Sequence, residues 1–135
     1  GIRVMDDYAH HPTEIQATLR SARALASGRL FCVFQPHTYT RTYELLDDFS
    51  RSFALADTVV VTDIYAARKK DTGLIHARVL ADGINRNTGN AVYISDFADI
   101  VQFLNDNAQS GDLVITMGAG DIHKVGDMYL AAVSP

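Results

Sequence analysis

A chain of 135 residues that is 47% hydrophobic with a formal net charge of −4 is the size of one domain, and it lacks the basic excess a general nucleic-acid or anionic-membrane binder needs. Its single cysteine, Cys32, lies inside the apolar run 30–34, which excludes an intramolecular disulfide and fits a buried thiol in a reducing cytoplasm. No stretch approaches 18 apolar residues and no basic region precedes an apolar leader, so the expectation is a soluble cytoplasmic domain without nucleic-acid or membrane partners.

In chain order, residues 1–5 form a short apolar run that stops at Asp6 and Asp7, as a buried strand does when it delivers polar groups to a sheet edge. A helix follows. Thr13 and Gln16 have capping-box spacing, Pro12 helps start the turn, and Ile15, Leu19, Ala22 and Leu25 recur at helical spacing until Gly28 ends the segment. Residues 30–34 are continuously apolar, as in a strand covered on both faces. A helix is predicted over 42–56, with Leu45, Phe49, Phe53 and Ala56 inward.

Residues 58–62 are β-branched throughout and predict a third strand. Asp63, Ile64 and Tyr65 lead into the charged loop Arg68-Lys69-Lys70-Asp71, read either as solvated surface or as a lid or contact with another domain. A helix around Ile75, Val79, Leu80 and Ile84 comes next, then a strand over 91–94. Ser95 is a plausible cap for a helix carrying Phe97, Ile100, Val101 and Leu104. A fifth strand spans 113–117, and Asp121 is placed to cap a last helix with Ile122, Val125, Tyr129 and Ala132 inward. Strict alternation without hairpin signals predicts a doubly wound α/β fold, mostly parallel, with helices on both faces and one domain over 1–135.

Three polar clusters follow strands one, two and five: DDYAHHPTE at 6–14, FQPHTYTRT at 34–42 and MGAGD at 117–121. In such sheets ligands sit beyond the carboxyl ends of the strands. One acid of the Asp6-Asp7 pair can hold backbone N–H groups, or a carboxylate there can accept both hydroxyls of a ribose. His10 and His11 are adjacent on an extended segment and point apart, so they do not ligate one metal ion together. His10 reads either as a packed imidazole or as one that orients an amine or a carboxylate. Arg41, near a helix start, either clamps a carboxylate or pairs with Glu44 on its own helix. His37, Tyr39 and Tyr8 surround the same point. The turn Gly118-Ala119-Gly120-Asp121 permits close backbone approach to an anion or zwitterion, or is simply a tight connection. No GxxxxGK[ST] loop occurs in the chain.

Taken together, DDYAHHPTEI, FQPHTYTRT and MGAGDI resemble the C-terminal domain of the Mur ligases of bacterial peptidoglycan synthesis, and FQPHTYTRT points to the alanine-adding branch. The resemblance covers nearly the whole chain. It implies an ATP- and Mg2+-dependent ligase of three domains that joins L-alanine to UDP-N-acetylmuramate through an acyl phosphate, with the UDP-sugar domain and central ATPase domain outside this chain. The isolated domain is then expected to be inactive and to carry no cofactor. By position, the resemblance implies that Asp7 accepts the ATP ribose hydroxyls while Tyr8 and His10 face the nucleotide and the alanine amine. His37 and Arg41 would hold the alanine carboxylate, with backbone of Gly118, Ala119, Gly120 and Asp121 lining the pocket. Some members carry arginine where this chain has Thr38, which leaves Arg41 as the main cation. No residue is implied as a nucleophile, and none as a metal ligand.

Two other readings compete. A flavodoxin- or receiver-like module would want an acceptor Asp after strand three and a Lys after strand five; Asp63 and Lys124 fit those places poorly. A scaffold with merely solvated loops leaves three clusters on one edge unexplained.

Overall fold

The computed structural model describes residues 1–133. Five strands, β1 (Arg3–Asp7), β2 (Leu30–Phe34), β3 (Thr58–Val61), β4 (Ala91–Tyr93) and β5 (Leu113–Met117), form one sheet in the order β1-β5-β2-β3-β4, every pair parallel. The helices between them are α1 (Pro12–Leu25), α2 (Tyr39–Glu44), α3 (Leu46–Ser50), α4 (Ala77–Asn87), α5 (Phe97–Asn107) and α6 (His123–Val133).

Side-chain alternation along the strands divides the core in two. Leu30, Cys32 and Phe34 of β2 pack with Ile15, Leu19 and Ala22 of α1, Phe49 of α3, and Leu80 and Ile84 of α4. Phe31 and Val33 face the other way, against Ile100 and Leu104 of α5 and Val125 and Tyr129 of α6. Both faces are therefore covered, which is why β2 and β5 are buried at every position, and why β2 reads as an unbroken apolar run and β5 as one interrupted only by Thr116. The α/β architecture expected from the alternation is the one observed.

The strand order matters most for the site. β5 lies between β1 and β2, with Asp7 paired to Met117 and Phe34 paired to Met117 in a level register. The loops that follow these three strands thus leave the sheet side by side, about 5 Å apart per strand step.

Several local expectations need correction. β1 runs through both acids rather than stopping before them, since parallel pairing with β5 extends to Asp6 and Asp7. Helix α1 starts two residues earlier than the Thr13–Gln16 spacing suggests: His11 is the N-cap, Pro12 the first helical residue, and Glu14 Oε1 accepts from the N–H groups of His10 and His11. It closes at Leu25, which is exposed, before Gly28 is reached. The single helix over 42–56 is two short ones that break at Leu45, with Phe49, Phe53 and Ala56 buried. In α4 the inward face is Ala77, Leu80, Ala81 and Ile84, with Val79 exposed. Asp96, not Ser95, caps α5 by accepting from Ala98 N–H. The Asp121 carboxylate is taken up by a side chain of another loop, described below, and Ala132 is exposed.

Candidate functional site

The first loop is shaped by its own polar groups. Asp6 and Asp7 point to different tasks: Thr116 Oγ1 donates to Asp6 Oδ1 at 2.6 Å, whereas Asp7 Oδ1 accepts from Ala9 N–H at 2.8 Å. Asp7 thereby spends one oxygen on its own loop. It borders a surface depression of 360 Å³ with Tyr8, Ala9, Glu14, Ala17 and Thr18. Tyr8 is 70% exposed and meets the His10 ring edge-on at a centroid distance of 5.6 Å.

His10 turns back over this loop. Its Nδ1 lies 3.0 Å from the Tyr8 carbonyl; a carbonyl only accepts, so the neutral ring carries its proton on Nδ1 and presents Nε2 as a lone pair. The ring meets His37 of the second loop at a centroid distance of 5.6 Å. His37 in turn stacks on Tyr65, which follows β3. Desolvation first, then the charge His10 carries when protonated and that of Arg41, hold the His37 imidazole below its ordinary pKa, so it is a neutral group at the site near pH 7.

Arg41 sits on the first turn of α2, anchored by its N–H to Thr38 Oγ1 at 3.4 Å. With His11, Thr38, Thr40, Glu44, Leu45 and Lys69 it lines an open cavity of 600 Å³. The helical pair with Glu44 does not form: among the described residues Arg41 makes no ion pair within 4.0 Å. Its Nη1 is buried without a hydrogen-bond partner, as is His37 Nδ1. Buried donors left unpaired are costly and concentrate where a ligand completes them.

The third loop closes the arrangement. Gly118 N–H donates to the Asp7 carbonyl at 3.1 Å, which ties the glycine turn to the first cluster. Asp121 Oδ1 accepts from Gln35 Nε2 at 2.7 Å, which ties it to the second. The turn must be glycine at 118 and 120. Gly118 has φ +153 and its Cβ would lie 2.9 Å from the Gln35 carbonyl oxygen, and a Cβ on Gly120 would lie 2.6 Å from Tyr65 Cγ. The structure thus brings Asp7, Tyr8, His10, His37, Arg41 and the 118–121 turn to one sheet edge. Two contributors, Gln35 and Tyr65, were given no role by sequence reasoning. Gln35 directly precedes Pro36-His37, but only the fold reveals that it is buried.

Asp63 and Lys124 do not face each other as a receiver pair would: Asp63 accepts from Tyr93 Oη and Ser95 Oγ, and Lys124 approaches Asp121 at 3.9 Å.

A family model described as Mur ligase, glutamate ligase domain, matches residues 1–120. The chain belongs to the Mur ligase family. This Mur ligase domain is 59% identical over 130 residues to UDP-N-acetylmuramate–L-alanine ligase of Acetivibrio thermocellus, covering 96% of this chain and 28% of that protein. It is 55% identical over 132 residues to the ligase of the same name from Clostridium novyi, covering 98% and 29%. The domain thus spans less than a third of the length of these relatives. Among solved structures, UDP-N-acetylmuramate-alanine ligase of Thermotoga maritima matches with a TM-score of 0.77 at 25% identity, over 97% of this chain and 26% of that one. The murein peptide ligase of Psychrobacter arcticus matches at 0.78 and 29%, over 97% and 27%. No helix of the described Mur ligase domain is long and apolar enough to cross a membrane.

Proposed function

We propose that residues 1–135 are the C-terminal, amino-acid-binding domain of a larger cytoplasmic ligase that joins L-alanine to UDP-N-acetylmuramate in peptidoglycan synthesis. The observation that carries this reading is Arg41, whose buried Nη1 has no partner and whose charge acts on the neutral imidazole of His37. A planar cation beside an uncharged ring suits a small carboxylate, which the guanidinium can grip bidentately. His10, with its proton held on Nδ1 by the Tyr8 carbonyl, offers Nε2 to take a proton from the ammonium, leaving an amine able to attack. The backbone of Gly118 to Asp121 would line the far side.

ATP, the cosubstrate, would activate the muramyl carboxylate as an acyl phosphate. Within this domain the free oxygen of Asp7 is placed to accept from the ribose, beside the exposed ring of Tyr8. Mg2+ would be held chiefly by the phosphates and the central ATPase domain. No side chain here acts as a nucleophile; the contribution is orientation and charge. Closure against the ATPase domain would complete the cavity beside Arg41.

The test is Arg41→Ala in the full-length chain. The kcat/KM for alanine is expected to fall by on the order of 2 to 4 kcal/mol with the UDP-sugar KM little changed. Equal losses for both substrates would refute the assignment.

A further inference from the structure

Gln35 is 5% exposed and sits between β2 and the His37 loop. Its backbone N–H donates to Met117 O at 3.0 Å, and its side-chain Nε2 donates to Asp121 Oδ1 at 2.7 Å. Its carbonyl oxygen and Oε1 lie 2.9 and 2.5 Å from where Cβ atoms on Gly118 and Gly120 would stand. Backbone and side chain of this one residue therefore lie against the glycine turn at 118 and 120 while standing two residues ahead of His37.

Charge fixes which way the amide faces. A carboxylate only accepts, so the nitrogen must point to Asp121, and Oε1 is left buried without a donor. Packing alone does not require this arrangement, since an apolar side chain of similar volume would leave no orphaned acceptor.

We propose that Gln35, locked in orientation by Asp121, is a positioning residue that sets the separation between His37 and the glycine turn, and hence the width of the amino-acid subsite. This rests on the reading that the subsite holds an amino acid. Lys124, 3.9 Å from Asp121 Oδ2 and largely exposed, leaves the Gln35 contact as the one that links two loops.

The test uses the full-length chain carrying Gln35→Glu, Asp121→Asn and the double substitution. Gln35→Glu sets two carboxylates face to face and is expected to raise the amino-acid KM roughly tenfold, the scale of one charge-assisted hydrogen bond, with the ATP KM unchanged. Asp121→Asn alone keeps an acceptor for the glutamine and supplies the single-variant reference against which the double substitution is read. The double substitution restores a donor facing an acceptor, with the polarity reversed, and should bring the KM back to within about threefold of wild type. A double variant no better than Gln35→Glu, or equal rises in both KM values, would overturn the proposal.

Gln35→Met, which keeps the volume and removes both polar ends, covers the case in which Gln35→Glu does not fold. It should raise the amino-acid KM while thermal unfolding stays within a few degrees; an unchanged KM overturns the proposal. Arg41→Ala assayed in parallel separates the two ideas. If Arg41→Ala leaves the alanine KM unchanged, the carboxylate reading fails, whereas a raised value there with a normal one in Gln35→Met sinks only the role of Gln35.

Discussion

His37 packs flat against Tyr65, with ring centroids 5.7 Å apart and planes 21° from parallel. The backbone enforces this pairing: the two residues form a parallel bridge, Tyr65 N–H donates to the Pro36 carbonyl and Thr38 N–H to the Tyr65 carbonyl, each at 2.8 Å. The Tyr65 ring then rests on the glycine turn, so a residue after β3 supports an imidazole after β2 and a turn after β5.

Gly120→Ala should break that support. Its Cβ would stand 2.5 Å from Gln35 Oε1 and 2.6 Å from Tyr65 Cγ, contacts that force one ring or one amide to move. A loss of about 1–3 kcal/mol in unfolding free energy is expected from the overpacking. Urea denaturation measures it, and an unchanged midpoint would show that the ring yields freely.

Thr38 holds φ +65, an unusual value for a β-branched residue. It is kept there by its own N–H bond to Tyr65 and by Thr42, whose N–H and Oγ1 both donate to the Thr38 carbonyl at 3.2 and 2.8 Å. Thr38→Gly relieves the strain, worth about 1–3 kcal/mol, at the cost of a weak cap to Arg41 N–H. The expected outcome is a melting temperature equal to or above wild type; a clear drop would mean that the Thr38 side chain does more than the backbone geometry indicates.

Asp112 anchors the opposite end of the sheet. Its buried carboxylate accepts from Arg29 N–H and Gln109 N–H, both at 2.8 Å, and from Arg29 Nη2 at 3.3 Å. Burial alone would raise its pKa, but these donors and the guanidinium outweigh it and hold the group below its ordinary value. A depressed carboxylate contributes stability that is present above its unfolded pKa and lost as pH falls through the folded one. Asp112→Asn should therefore cost about 2–3 kcal/mol at neutral pH. The gap from wild type should begin to close below about pH 4 and vanish only as pH falls through the lower folded pKa, as denaturant titrations across pH would reveal. A gap that persists in acid would assign the loss to geometry instead of charge.

For His37 the sign is opposite in chemistry but similar in direction. Its folded pKa is lowered by desolvation, by His10 when that ring is protonated, and by the Arg41 charge, so below its unfolded pKa of about 6.5 the unfolded chain binds more protons. Stability should fall as pH drops from that value through the folded pKa, and His37→Asn should flatten this part of the profile. Imidazole proton shifts followed by NMR against pH would check the direction, and a His37 midpoint above that of a free histidine would contradict it.

Much of this was legible from the chain alone because the physics involved is local. The continuous apolar run at 30–34 and the mostly apolar segment at 113–117 mean strands buried on both faces, and both appear with those bounds. Helix ends were less legible. Whether Thr13 or His11 caps α1, and whether residues 42–56 make one helix or two short ones, depends on which side chains the neighbouring loops supply.

The sequence by itself determined the alternation of strands and helices, the residue types available at each loop, and the likeness to the Mur ligases, because periodicity and motif survive without coordinates. Only the tertiary structure decided that β5 enters between β1 and β2. That insertion is a long-range pairing with no local signature, and it brings loops more than a hundred residues apart in the chain into contact through Asp7 and Gly118. It also decided the states of Gln35 and Tyr65: a glutamine's burial and a tyrosine's stacking partner depend on neighbours that the linear order does not name.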